Sequence, residues 1–229
     1  CTFICTLHLD NLINLLKYFS HSLREKNLLR IKDLSCRRSN ELIFSGLSFE
    51  VSEGKNTEII GSNGSGKTSL LKCILGLIEK KQGQIFWNQD EIDLVKVDFL
   101  KSCFYQGHKL ALKKNLSVFE NLRYSHLFFN SKEEKIDNSL KKVGLYECRD
   151  RISSDLSMGQ LKRLAVARWL LDDCKLYLID EPFNALDEEG VDLVSEVIKN
   201  LNSKGCSFLF TSHNSSKIES KEILLDKYS

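Results

Sequence analysis

The run Gly61-Ser62-Asn63-Gly64-Ser65-Gly66-Lys67-Thr68 has residue types and spacing suited to gripping phosphate. It satisfies every fixed position of the pattern G-x-x-x-x-G-K-[ST]. Glycines let a backbone wrap closely round an anion, because no Cβ blocks the turn. Successive N–H groups then point inward, and a helix starting there adds positive partial charge. In such a loop Lys67 reaches the β- and γ-phosphates of a nucleotide, and the Thr68 hydroxyl holds Mg²⁺. Ser69 follows directly, so Gly61 to Ser69 form one expected nucleotide-binding run. A second constellation is Asp180-Glu181, after the apolar residues Leu176-Tyr177-Leu178-Ile179. An aspartate at the end of such a strand holds Mg²⁺, directly or through water. Glu181 is then placed to orient or deprotonate an attacking water. His213, after another apolar run, is the third candidate.

These groups need elements to carry them. Thr57-Glu58-Ile59-Ile60 reads as a strand entering the loop, and Ser69 to Leu75 as the helix leaving it, the setting the motif requires. Arg30 to Val51 reads as two strands joined by a polar turn. Extended structure restarts at Gly83 and runs to Trp87, and Ser102 to Tyr105 is a further strand. Ser117-Val118-Phe119-Glu120 has the form of a capping box opening a helix through Phe129. Ser131-Lys132-Glu133-Glu134 repeats the form for a helix ended by Gly144, and Ser157-Met158-Gly159-Gln160 starts a third. Leu176 to Ile179 is a strand, Glu188 to Lys204 a helix stopped by Gly205, Ser207 to Phe210 a strand, and Ile223 to Leu225 a last short one. Strands alternating with helices imply a mostly parallel sheet, with ligands beyond the carboxyl ends of its strands.

The 229 residues suit one domain with a subdivided core, and a net charge of +2 gives no field that argues for nucleic acid. The eight cysteines include no C-x-x-C pair, so zinc and thioredoxin chemistry are unsupported, and the thiols read as reduced. No apolar run reaches the length of a membrane span, so any membrane contact comes through a partner. Residues 1–29 read as an N-terminal extension, disordered or targeting, with Leu9, Leu12, Ile13 and Leu16 near helical spacing.

Leu156-Ser157-Met158-Gly159-Gln160 resembles the LSGGQ-type signature of ATP-binding cassette (ABC) ATPases, with Met158 where glycine is common. Asn184-Ala185-Leu186-Asp187 resembles their D-loop, and His213 stands where their switch histidine lies. The order of motifs is the family's order, and the match runs from about Arg30 to Asn214. The resemblance implies an α/β fold of P-loop NTPase type. Its parts would be a RecA-like parallel-sheet core, a small antiparallel β subdomain and a helical subdomain at about 112–160, all within 30–229. It implies an ATPase that uses ATP and Mg²⁺, with Lys67, Glu181 and His213 catalytic and Thr68 and Asp180 at the metal. It implies a head-to-tail homodimer, each ATP lying between one P-loop and the other copy's Ser157, Gly159 and Gln160. Two positions depart from the family. The adenine-stacking aromatic falls on Arg38, whose guanidinium can stack on a base. The Q-loop glutamine falls on His108, a candidate at the metal, with Gln106 just upstream as the alternative.

Several runs are similar to one branch, the CcmA-type ATP-binding subunits of cytochrome c maturation transporters. They include Phe44-Ser45-Gly46-Leu47-Ser48-Phe49, Gly107-His108 ahead of Glu120-Asn121-Leu122, Ala165 to Leu170, and Asp180-Glu181-Pro182-Phe183. That resemblance implies a CcmB-like transmembrane permease and a heme-handling membrane protein as partners. It implies a peripheral place on the inner membrane, at the cytoplasmic face in a bacterium or the matrix face in a mitochondrion. The alternative is a soluble ABC ATPase of another pathway, such as iron–sulfur cluster assembly. A regulatory binder that no longer turns over is opposed by the intact Lys67, Asp180, Glu181 and His213.

Overall fold

A computed structural model of the chain describes residues 27–38, 41–125, 132–171 and 173–228. The expected extension therefore lies outside the described residues, except at its end. The first strand, β1 (Asn27–Arg38), begins ahead of Arg30 because Leu28 and Leu29 are both buried and take sheet positions.

Two sheets make the frame. One is antiparallel, in the order β2 (Glu41–Ser52), β1, β4 (Lys80–Trp87), β5 (Asp90–Glu91). The other is wholly parallel, in the order β6 (Cys103–Gln106), β7 (Leu176–Ile179), β8 (Ser207–Ser212), β3 (Asn56–Ile60), β9 (Lys221–Leu224). β7 is buried along its whole length, as expected of a strand covered on both faces. Its alternation divides the core in two. Leu176 and Leu178, with Leu209 of β8, pack towards the antiparallel sheet. Tyr177 and Ile179, with Phe208 and Phe210, pack on the other side beneath the helices. Tyr177 stacks on Phe208 with ring centroids 4.7 Å apart.

The phosphate-loop helix, α1 (Lys67–Ile74), starts directly after Gly66 at φ 98°. A Cβ on Gly66 would meet Ile43 Cγ2 at 2.2 Å, so β2 leaves room only for glycine. A short helix, α2 (Lys96–Lys101), follows β5. Phe99 is its single buried residue, too little for a periodic signal. Gly83 does not start β4 but sits within it at φ 95°. A Cβ there would meet the Asp33 carbonyl oxygen at 2.5 Å, so glycine admits an irregularity where β1 crosses close by.

Between β6 and β7 the chain builds helices α3 (Val118–Ser125), α4 (Glu133–Lys142) and α5 (Met158–Trp169), which pack on one another. The first expected capping box is present: Ser117 N–H donates to Glu120 Oε2 at 2.8 Å and Glu120 N–H to Ser117 Oγ at 3.1 Å. The second rests on Ser131 and so lies outside the described residues; α4 is preceded by Lys132, which gives no side-chain cap. The expected helix end at Phe129 also lies outside the described residues. The last helix, α6 (Glu188–Asn202), is capped by Asp187, whose carboxylate accepts the Gly190 N–H at 2.8 Å. No helix among the described residues is long and apolar enough to cross a membrane, and the described cysteines form no disulfide.

Candidate active site

The site forms at the carboxyl ends of the parallel strands, where β3, β7 and β8 lie side by side. β3 delivers the loop from Gly61, β7 delivers Asp180 and Glu181, and β8 delivers Thr211 and His213. The register pairs Ile60 with Ser212 and Ile179 with Phe210, so β3 and β8 end level while β7 ends two residues short of them.

In the loop, Gly64 and Gly66 both adopt positive φ, a conformation that turns successive amides towards a common centre. Ser65 Oγ is buried there with no hydrogen-bond partner described. An orphaned hydroxyl in a cradle of amides fits a phosphate oxygen. The Lys67 ammonium is buried and donates to the Gly61 and Ser62 carbonyl oxygens at 2.7 and 3.0 Å. It also lies 3.4 Å from His213 Nδ1. Outside the loop, Asp226 accepts the Ser62 N–H at 3.0 Å and the Ser62 hydroxyl at 3.0 Å, tying the chain's last turn to the loop's entry.

Asp180 is almost fully buried and accepts two short bonds, from Thr68 Oγ1 and from Thr211 Oγ1, each at 2.7 Å. Thr68 and Asp180 are thus paired as Mg²⁺ requires. That ion commonly keeps several waters and takes only one or two side chains alongside phosphate oxygens. The donor set fits it. Among the described residues no cluster of three or more His, Cys, Asp or Glu could hold a metal.

Glu181 adopts φ 54° and its N–H donates to Thr211 Oγ1 at 3.0 Å. Its carboxylate is held on both oxygens. Oε1 meets His213 Nε2 at 2.9 Å, and Oε2 accepts from Asn184 Nδ2 at 3.0 Å. Protonation of His213 on Nε2 satisfies both contacts: Nε2–H donates to Glu181 and bare Nδ1 accepts from Lys67. The exposed His108 ring stands with Nδ1 3.9 Å from Glu181 Oε2. Gln106 is instead buried, and its Oε1 accepts the Trp169 Nε1–H at 2.9 Å. Of the two Q-loop candidates, His108 therefore faces the carboxylate while Gln106 is engaged by the core.

The signature begins α5 and carries a complete capping box, Ser157 N–H to Gln160 Oε1 at 3.0 Å and Gln160 N–H to Ser157 Oγ at 3.2 Å. Ser157 and Gly159 are exposed and Gln160 half-buried. From the same helix Lys162 donates to the Asn184 carbonyl oxygen, and to that of Ala185 at 2.8 Å. Burial holds the Lys162 pKa below its ordinary value. The lysine braces the D-loop where Ala185 takes φ 50°. A groove of about 620 Å³ runs between these parts, lined in part by His108, Leu112, Leu161, Leu186 and Leu193. Arg38 ends β1 opposite Glu41, and its side chain lies outside the described residues.

Thr211, Lys162 and Asp226 were not singled out from sequence. A polar Thr211 directly after the apolar residues Phe208 to Phe210 was the available signal. Nothing local marks Asp226, whose partner is 164 positions away.

Comparison with known proteins places this geometry. The ABC transporter family matches residues 44–184. The CcmA cytochrome c biogenesis ATP-binding export protein of Mannheimia succiniciproducens is 36% identical over 189 residues, 82% of this chain and 88% of that protein. Its counterpart from Methylococcus capsulatus is 39% identical over 183 residues, 79% and 88% of the two chains. In fold, the chain superposes on a putative ABC transporter ATP-binding protein of Pyrococcus furiosus with TM-score 0.77 at 24% identity, covering 88% of this chain and 98% of that one. It superposes on cbiO1 of Clostridium perfringens, part of a cbiONQ transporter complex, with TM-score 0.72 at 24% identity, covering 83% and 80%. By this match and these relatives, the chain belongs to the ABC transporter family of ATP-binding proteins, in its CcmA branch.

Proposed function

We propose that the chain is the ATP-hydrolysing subunit of a transporter complex that energises cytochrome c maturation. The observation that carries the reading is the clamped Glu181 carboxylate, fixed by His213 and Asn184 beside Lys67 and the Thr68–Asp180 pair. The loop amides and Ser65 bind the phosphates of ATP. Lys67 exchanges its carbonyl partners Gly61 and Ser62 for β- and γ-phosphate oxygens. Thr68 and Asp180 hold Mg²⁺, which when bound neutralises charge on those oxygens. Glu181 orients a water against the γ-phosphorus and takes its proton as the bond to ADP breaks. His213 holds Glu181 in place and contacts the γ-phosphate, and His108 supplies the Q-loop contact. Ser157, Gly159 and Gln160 act on the nucleotide of a second copy, so hydrolysis needs a homodimer. Arg38 stacks on the adenine.

The relatives named above are bacterial and carry cytochrome c biogenesis in their names, which supports a bacterial setting, and the proposed place is the cytoplasmic face of an inner membrane. A membrane-spanning permease and a heme-handling protein are the proposed partners. No observation favours the mitochondrial matrix or an iron–sulfur pathway. The reading is tested with purified protein and the Glu181→Gln variant. Wild type should release phosphate from ATP with Mg²⁺, and Glu181→Gln should bind ATP and run as a dimer on gel filtration. A Glu181→Gln protein that stays monomeric with ATP would refute the shared site. Absence of a permease from affinity-purified solubilised membranes would refute the transporter assignment.

A further inference from the structure

Glu58 lies in the middle of β3 and is fully buried, between Phe210 of β8 and Glu222 of β9 in register. Such a position in a central parallel strand ordinarily takes an aliphatic side chain. A buried carboxylate is costly unless its oxygens are satisfied, and replacement of buried charge by apolar groups is often neutral for stability. Every hydrogen bond described to the Glu58 carboxylate comes from one short stretch. Ser216 N–H donates to Oε1 at 3.0 Å, while the Ser216 and Ser220 hydroxyls donate to Oε2 at 3.0 Å each. Both serines belong to the connection from β8 to β9, and that connection begins with His213. The same strand that feeds the phosphate loop thus fastens the far side of the histidine's loop.

We infer that Glu58 is a positioning residue for His213. Its carboxylate fixes the segment after His213 so that Nε2 reaches Glu181 Oε1 and Nδ1 faces Lys67. The inference rests on the proposed catalytic role of His213. Freed from Glu58, the segment would slacken and His213 would lose its aim, a displacement that costs rate more than substrate affinity.

The test is a double-mutant cycle on the full-length chain, with steady-state ATP hydrolysis and thermal melting as readouts. Glu58→Gln should lower kcat about 10-fold and leave KM for ATP within about twofold. In a His213→Ala background the same substitution should change the residual kcat less than about twofold, because the residue it acts through is gone. The paired substitution Ser216→Ala with Ser220→Ala should repeat the pattern at about threefold. It decides the question alone if Glu58→Gln does not fold. An equal fold-loss in both backgrounds, or a rise in KM at constant kcat, overturns the inference while leaving the His213 reading intact. Wild-type kcat in His213→Ala itself would overturn that reading and the inference with it.

Discussion

Replacing Thr211 by valine keeps the shape of a fully buried side chain and removes one hydroxyl. That hydroxyl serves two groups at once. It donates to Asp180 Oδ1 at 2.7 Å and accepts the Glu181 N–H at 3.0 Å. A hydrogen bond to a charged acceptor contributes about 1.5–3 kcal/mol, and an amide left without a partner costs about 1–3 kcal/mol. Valine regains about 1 kcal/mol by burying a methyl group. The net loss worked from these contacts is about 3 kcal/mol, or roughly 6–12 °C in Tm for a chain of this length. Thr211→Ser keeps both bonds and forgoes a methyl, so it should lose only about 1 kcal/mol. Urea denaturation of the two variants, with m unchanged, measures the difference directly. If valine and serine fall within about 0.5 kcal/mol of each other, the hydroxyl is not what ties the two carboxylate residues to β8, and the reasoning fails.

The two Q-loop candidates separate by the same methods. Gln106→Leu orphans the Trp169 Nε1–H and should cost about 1–3 kcal/mol in urea denaturation, while His108→Ala, an exposed position, should stay within about 0.5 kcal/mol. His108→Ala should instead lower kcat about 10-fold in an ATPase assay, and an unchanged kcat would return the Q-loop role to Gln106. Alkaline pH should weaken the fold through its thiols. Burial pushes Cys73 up to about 12 from an ordinary 9.0, and raises Cys36 as well. Above about pH 9 the unfolded chain sheds thiol protons that the folded chain keeps, so it binds fewer protons and stability falls as pH rises towards 12. Urea midpoints from about pH 8 to about pH 10.5 should show this fall, and Cys73→Ala should show a shallower one.

The parts of the molecule legible from sequence were those with local rules. The glycine loop, the Ser117 and Ser157 caps and the apolar strands before Asp180 and His213 each announce themselves within a few residues. Gly83 shows how a local signal misleads, because its freedom serves a crossing with Asp33 of a different strand rather than a strand start. The rest of the site depends on contacts between distant segments. Glu58 with Ser216, Thr211 with Asp180 and Ser62 with Asp226 join positions that only the sheet order brings together. For the Q-loop, sequence offered two residues, and the Trp169 indole on Gln106 and the Glu181 carboxylate beside His108 separate them.

The box at the start of α5 has one further effect on the proposed dimer. Its two reciprocal bonds occupy the amides of Ser157 and Gln160 but use only a lone pair of the serine hydroxyl. The box makes no use of the hydroxyl proton, nor of the amides of Met158 and Gly159 that a first helical turn leaves over. An arriving γ-phosphate would break neither bond of the box to engage these donors. Closing the pair of subunits would then demand little rearrangement on this side, and the work of the stroke would fall on the Lys67 side, where the ammonium must let go of its own loop.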